Sequence, residues 1–148
     1  YNNDQIPTIK SLMRYLAIDY GSKRIGLAIC DQEETIVSPL AVIQTGKGLI
    51  DKIIDVVKSE NIQAIVLGLP LNMDDTEGPQ AKLIYKFADR LKKRLNIPVY
   101  FQDERLSSFV AREKLSSAEL TIKKRRKHLD AIAAAEILQF FLDRKNAQ

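Results

Sequence analysis

Short apolar runs separated by polar turns make up the first third of the chain, and this pattern predicts β-strands. Residues 15–18 and 25–30 are two such runs, and the stretch DYGS that begins at Asp19 has the composition of a turn. The segment therefore predicts a β-hairpin, with Asp19 at the mouth of a sheet. After a charged turn at residues 33–34, a third strand is predicted over residues 36–44.

Strand and helix patterns alternate in the rest of the chain. The run AIVLGL at residues 64–69 is apolar almost throughout, which is typical of a central strand covered on both faces. Residues 98–102 predict a fifth strand. Helical spacing of apolar side chains predicts helices over residues 49–60, 79–96 and 128–144. A cap at Ser107 or Ser108 predicts a further helix over residues 109–115. The last helix is predicted to bury six apolar side chains: Leu129, Ile132, Ala133, Ile137, Phe140 and Phe141.

The order of these elements predicts the fold class. An antiparallel three-strand meander followed by alternating helices and strands implies an α/β protein with a five-stranded mixed sheet and helices on both faces. A chain of 148 residues with 45% hydrophobic residues suits a single domain, predicted over residues 14–145. Residues 1–13 are polar and without periodicity, and we expect them to be a disordered extension.

Composition excludes several classes of protein. No apolar run approaches the roughly 20 residues that span a bilayer, and no export signal opens the chain, so we expect no membrane association and a cytoplasmic location. The single cysteine, Cys30, lies in an apolar strand and is expected to be a buried, inert thiol. Because His128 is the only histidine, a structural zinc site is excluded, and any metal must be a hard cation held by carboxylates.

The positive charge is concentrated in two clusters, at residues 90–94 and 123–127. The second cluster has five consecutive basic residues at the end of a predicted loop over residues 116–127: Lys123, Lys124, Arg125, Arg126 and Lys127. Such patches suit a polyanion, and nucleic acid is the natural partner. The simpler interpretation is a solvated helix face for the first cluster and an exposed loop for the second.

Three acidic residues occupy positions from which they can converge. Asp19 ends the first strand, Glu104 follows the fifth, and Asp130 lies in the first turn of the predicted last helix. Sites in such sheets form at the carboxyl ends of neighbouring parallel strands. Strand alternation favours Glu104 over its neighbour Asp103, which remains the reserve ligand. Taken singly, each acid also has a structural explanation: an anchored turn, an exposed strand end and a helix-terminal charge.

Converging carboxylates repel one another unless a cation neutralises them, and oxygen ligands select Mg²⁺ or Mn²⁺. The chemistry that such a site serves is phosphodiester hydrolysis, in which the cation activates water and neutralises the phosphate. The basic run before Asp130 would bind the backbone of the substrate. The sequence therefore predicts Asp19, Glu104 and Asp130 as metal ligands and catalytic residues of a nuclease.

Four stretches also resemble the bacterial YqgF family: LAIDYGSKRIGLAICD, IVLGLPLNMDDTEGPQ, VYFQDERLSS and LDAIAAAEILQFFLD. Proteins of this family have a ribonuclease H-like fold and are described as pre-16S rRNA nucleases or Holliday junction resolvases. The resemblance implies a cytoplasmic nuclease that matures the 5′ end of pre-16S rRNA, with the three acids as its catalytic residues. It also implies that further positions line the first loop, second strand and cleft: Gly21, Lys23, Arg24, Gly26, Gly68, Pro70, Asn72, Arg105 and Ser107.

Several questions stay open at the level of sequence. Related nucleases often use four acids, so the number of metals is undecided. Lys23 or Arg24 would contact either a phosphate or only solvent. Asn72 would either orient a nucleotide or close a turn, and His128 would either shuttle a proton or face water.

The substrate and the class of protein also stay open. RNA is the expected partner, and DNA is the second possibility, through a junction resolvase that needs a symmetric dimer. A monomer or weak homodimer is expected. The chain would otherwise be a nucleic-acid-binding protein with a vestigial metal site, or a protein that binds nucleotide phosphates.

Overall fold

Five strands form one mixed sheet in the computed structural model, which describes residues 11–72, 74, 76–104 and 122–147. Side chains are described from residue 129 onward in the last of these ranges. The strands are β1 (Tyr15–Tyr20), β2 (Arg24–Cys30), β3 (Val37–Gln44), β4 (Ala64–Leu69) and β5 (Val99–Asp103). The helices within the described residues are α1 (Leu49–Ser59), α2 (Pro79–Arg94) and α3 (Ile122–Asn146).

The sheet has the order β3-β2-β1-β4-β5. Strands β1, β2 and β3 form an antiparallel meander, while β4 pairs in parallel with both β1 and β5. The parallel pairing brings the carboxyl ends of β1, β4 and β5 to one edge of the sheet. The predicted fold class is confirmed, and the fold is ribonuclease H-like.

Helices cover both faces of the sheet because the strands bury side chains on both. Ile18, Leu67 and Phe101 belong to the core that includes α1 and α2, whereas Ala17 and Val66 belong to the core that includes α3. Strand β4 is buried at every position, as its uninterrupted apolar run predicted. Odd-numbered residues of β1 therefore face α3, and this alternation decides which side chains can reach the site described below.

Helix α3 begins at Ile122, six positions before the predicted start at His128. The basic run at residues 123–127 is therefore helical, and the prediction that it ends a loop is wrong. Asp130 therefore lies in the third turn of α3, and not in the first turn as predicted, so the positive end of the helix dipole does not stabilise its charge. Lysine and arginine are good helix formers, and a helix starting in this run agrees with their intrinsic preference.

Phe140, which is predicted to be buried, is instead 38% exposed, and Leu83, on the apolar stripe of α2, is 48% exposed. Both fit the apolar pattern of their helices, but the sheet covers a narrower stripe than the pattern suggests. The predicted helix at residues 109–115 and most of the loop at residues 116–127 lie outside the described residues. Cys30 is buried at 1% exposure, in agreement with its prediction as a buried thiol. No helix among the described residues is long and apolar enough to cross a membrane.

The predicted charged turn at residues 33–34 contains a buried ion pair. Lys145 Nζ, near the end of α3, lies 2.6 Å from Glu34 Oε2, and the two side chains are only 2% and 1% exposed. The main chain at the amino end joins the pair, because Met13 N donates to Glu34 Oε2 and Lys145 Nζ donates to Ser11 O. Residues 11–13 of the predicted extension thus contact the domain, while the extension itself stays a prediction.

Replacing Lys145 with Met is expected to lower the free energy of unfolding by about 3 kcal/mol, because it leaves the buried Glu34 carboxylate without its cation. Urea unfolding followed by circular dichroism measures the loss. The double variant Glu34→Gln/Lys145→Met removes both charges and should recover most of it. A loss below about 0.5 kcal/mol for the single variant, typical of a surface substitution, would show that the pair is not buried in solution.

Candidate active site

Asp19 and Glu104 meet at the carboxyl edge of the parallel strands. Asp19 lies in β1, two residues after Ala17, and Glu104 follows β5, four residues after Tyr100, so that alternation directs both side chains to the α3 face. Their carboxyl groups are hydrogen-bonded to each other. A hydrogen bond between two carboxyl groups requires one of them to carry a proton. The preference for Glu104 over Asp103 follows the same alternation.

Gly68 allows this contact across the intervening strand. It is the fifth residue of β4, which lies between β1 and β5, and it faces the same side as Asp19. A β-carbon at Gly68 would collide with Glu104 Oε2 and would lie 2.6 Å from the Cδ1 atom of Ile137. The missing side chain therefore provides the space that the Glu104 carboxyl group occupies.

Burial and mutual repulsion disfavour ionisation of both acids. Burial raises the pKa of Asp19, the charge of Asp130 raises it further, and the hydrogen bond with Glu104 acts in the opposite direction. Burial, the charge of Asp19 and the hydrogen bond raise the pKa of Glu104 from its ordinary 4.5 to about 9. Two acids that share a proton near neutral pH form a site that a cation can stabilise, because it replaces the proton and allows both to ionise.

Asp130 is brought to the same region by the close approach of α3 to β2. Gly26 pairs with Asp19 across the β1–β2 ladder, and a β-carbon at Gly26 would overlap the main-chain carbonyl of Asp130. Only glycine permits the helix to approach this closely. The Asp130 carboxylate, however, forms an ion pair with Arg24, with 2.8 Å between Asp130 Oδ2 and Arg24 Nε.

A hard cation fits the paired acids. Glu104 Oε2 is buried and accepts no hydrogen bond from the described residues, which leaves a carboxylate oxygen available as a ligand. Across the described part of the chain, however, no three carboxylate, imidazole or thiol side chains are close enough to share one ion. Asp19 and Glu104 are thus brought together, whereas sharing of one cation by all three acids stays a prediction.

The other predicted site residues fall into two groups. Lys23 is exposed in the β1–β2 turn, and Asn72 is exposed after β4, where its Nδ2 donates to Thr76 Oγ1 at 2.9 Å. Their contacts with nucleic acid stay predictions, and the hydrogen bond of Asn72 agrees with a role in closing a turn. The remaining side chains lie outside the described residues: Arg105, Ser107, Lys123, Lys124, Arg125, Arg126, Lys127 and His128.

Sequence reasoning missed one relation within the site, the pairing of Arg24 with Asp130. The two residues were predicted separately, as a phosphate contact and a metal ligand, and 106 positions separate them. No local pattern indicates such a pair. Gly26 carried a signal, because a glycine inside an apolar strand often marks a close approach of another main chain.

The comparisons with known proteins agree with this geometry. Residues 13–144 match the family model described as "RuvX: Holliday junction resolvase". A relative from Bacillus cereus, provisionally named pre-16S rRNA nuclease, is 41% identical over 137 residues, which cover 90% of this chain and all of the relative. Another with the same provisional name, from Anaeromyxobacter, is 42% identical over 135 residues, covering 90% of this chain and 98% of the relative.

Solved structures share the fold at low sequence identity. RuvC from Thermus thermophilus in complex with Holliday junction substrate has a TM-score of 0.56 at 17% identity, covering 90% of this chain and 96% of that one. The fowlpox virus Holliday junction resolvase has a TM-score of 0.54 at 18% identity, covering 90% and 99%. The family model and the two relatives, for their part, match most of this chain. The chain therefore belongs to the RuvX/YqgF family, as the four stretches of its sequence predicted.

Proposed function

We propose that this protein is an endonuclease that depends on Mg²⁺ or Mn²⁺ and hydrolyses phosphodiester bonds in structured RNA, with the 5′ region of precursor 16S rRNA as its substrate. The observation that supports this most directly is the hydrogen-bonded pair of Asp19 and Glu104 at the carboxyl edge of the parallel strands. In a sheet of this topology, that edge is where substrates bind.

Asp19 and Glu104 would hold the cation, and Asp130 would join them on release from Arg24. When bound, the cation supplies charge neutralisation at the phosphate and a lower pKa for the attacking water. The protein itself holds one carboxyl group on β1 and the other directly after β5, and it shields Glu104 Oε2 from solvent. This fixed geometry is what a reaction that depends on positioning requires.

Substrate binding would fall to basic residues that neighbour the acids in the chain. Lys23 and Arg24 lie in and beside the β1–β2 turn next to Asp19, and the run at residues 123–127 precedes Asp130 on α3. Basic residues close in the chain to Asp19 and Asp130 suit a phosphate backbone and predict affinity that falls with salt. RNA is preferred because the relatives provisionally named pre-16S rRNA nuclease match almost their full length.

The second candidate is cleavage of four-way DNA junctions, which the description of the matching family model favours. A junction resolvase makes paired cuts and needs two active sites related by symmetry. Because a monomer or weak homodimer is expected, we place this activity second.

The test compares two substrates under identical conditions. The purified chain is incubated with Mn²⁺ and either a precursor RNA that carries the 5′ leader stem of 16S rRNA or a four-way DNA junction, and the product ends are mapped. We expect cleavage of the RNA and an intact junction. Asp19→Asn, checked for its fold by circular dichroism, is the matched control and should bind the RNA without cleaving it.

Three outcomes would contradict the proposal. Cleavage of the junction with intact RNA would transfer the function to DNA. Binding without cleavage by the wild-type protein in excess Mn²⁺ would favour a binding protein with a vestigial site. Equal cleavage by the wild-type protein and Asp19→Asn would show that the acidic pair is not the active site.

A further inference from the structure

We propose that Arg24 exchanges partners when the site is loaded: it neutralises Asp130 in the free protein and passes to a backbone phosphate of the substrate as Asp130 turns to the cation. Nucleic acid and divalent cation would then bind cooperatively. This inference rests on the proposed nuclease function, because it assumes that the acids bind a cation and that the basic residues bind a polyanion.

The ion pair joins two residues that the proposed function needs for other partners, Asp130 for the cation and Arg24 for a phosphate of the substrate. Arg24 Nε lies 2.8 Å from Asp130 Oδ2, and the side chains are 32% and 28% exposed. While the pair is intact, Asp130 is occupied as a carboxylate and Arg24 as a cation. A phosphate that uses the same Nε, or a cation that uses the same Oδ2, therefore competes with the ion pair.

The contact is of a kind that can be exchanged. It uses Nε alone of the five guanidinium N–H donors, instead of the bidentate fork that makes the strongest arginine–carboxylate pairs. Partly exposed ion pairs contribute little to stability, so a phosphate or a divalent cation can replace one partner. The Glu34–Lys145 pair at the other end of α3 is almost completely buried and offers no such exchange.

The main chain beside Arg24 is fixed, so the exchange needs only a side-chain movement. Thr45, which follows β3, donates from its main-chain N to Lys23 O at 3.0 Å and from Oγ1 to Gly21 O at 2.9 Å. Arg24 itself pairs with Gln44 in the β2–β3 ladder. The turn that precedes Arg24 is thus tied to the neighbouring strand.

Cooperativity follows from this competition. In the proposed exchange, the ligand that binds first breaks the ion pair, and the second then binds without that cost. The affinity of each ligand therefore rises by the same factor when the other is present. A coupling of about fivefold is expected, at the lower end of the usual range, because the pair is partly exposed.

The first measurement is Mn²⁺ binding to the protein alone by titration calorimetry. Arg24→Gln should bind Mn²⁺ about fivefold more tightly than the wild-type protein, because Asp130 no longer has a competing partner. Lys23→Gln is the matched control: it removes the same charge one residue away, from an exposed side chain, and should change Mn²⁺ affinity less than about twofold.

The second measurement tests the other half of the exchange, the release of Arg24 for RNA. Binding of a 2′-O-methyl RNA stem-loop, which resists cleavage, is compared in EDTA for Asp130→Asn and Asp19→Asn. Both variants remove one acid from the site, but only Asp130→Asn releases Arg24, so it should bind the RNA about fivefold more tightly than Asp19→Asn.

The outcomes separate this inference from the proposed function. If the wild-type protein binds Mn²⁺ but Arg24→Gln binds it no more tightly, the exchange is wrong and the nuclease proposal stands. Equal RNA affinity of the two asparagine variants would also overturn the exchange. If the wild-type protein binds no Mn²⁺, both proposals fail together.

Discussion

Glu104→Gln is expected to abolish cleavage while making the metal-free protein more stable. The substitution removes a proposed ligand, which should lower the rate by at least about 10³-fold, as loss of an essential active-site residue typically does. It also replaces a buried acid that repels Asp19 with a neutral group of the same shape. Because the buried Glu104 must take up a proton on folding above its ordinary pKa of 4.5, a glutamine that needs none should raise the free energy of unfolding by about 1 to 3 kcal/mol near neutral pH.

The gain in stability should depend on pH in a defined direction. The pKa of Glu104 is about 9 in the folded protein against an ordinary 4.5, so folding takes up a proton between these values. The free energy of unfolding of the wild-type protein therefore falls as the pH rises from 4.5 towards 9. Glu104→Gln has no group that titrates at this position, so it does not share this fall. Urea unfolding at several pH values without metal measures the difference, which should widen with pH.

Glu33→Gln provides the control for this experiment. Glu33 is exposed in the turn after β2, at the opposite end of that strand from Arg24, so its neutralisation should leave cleavage unchanged and stability within about 0.5 kcal/mol of the wild-type protein. If Glu104→Gln is less stable than the wild-type protein at pH values above 4.5, the ordinary pKa of Glu104, then Asp19 and Glu104 are not a buried pair of acids in solution. Retained cleavage would contradict the role of Glu104 in the site.

The second large effect is expected for Gly26→Ala. Its added methyl group would overlap the main-chain carbonyl of Asp130 and lie 3.0 Å from Ala131 N, so the helix must move. Main-chain atoms cannot rotate away as a side chain does. We therefore expect a loss of about 3 kcal/mol, at the top of the usual range for overpacking. Because Asp130 moves with α3, cleavage should fall by about 100-fold.

Unfolding in urea and cleavage under single-turnover conditions measure the two effects. Gly78→Ala is the matched control, since Gly78 has a φ of −88° and the atoms nearest to a β-carbon there belong to the Asn72 side chain, the closest at 3.4 Å. Its loss should stay near 1 kcal/mol or below, as for an altered helix cap. If Gly26→Ala were as mild as this control, α3 would not pack against β2 as closely as described.

The sequence alone determined the elements and the edge of the sheet at which the acids lie. The apolar run at residues 64–69 required a central strand, because only a strand covered on both faces buries every position. Asp19 and Glu104 each follow an apolar run, and parallel strands align their carboxyl ends. Local periodicity thus sufficed to predict both the fold class and the approach of these two residues.

Only the tertiary structure decided which groups pair. Periodicity predicts which face of an element is buried but not what packs against that face. Sequence reasoning therefore could not predict the two ion pairs, Glu34 with Lys145 and Arg24 with Asp130, whose partners are 111 and 106 positions apart. The start of α3 was mispredicted for a related reason, since the basic run carries no apolar stripe. Which charged groups meet is decided by packing, and packing at this site depends on two glycines. The absence of a side chain at Gly68 leaves room for the Glu104 carboxyl group, and its absence at Gly26 lets the main chain of Asp130 approach β2.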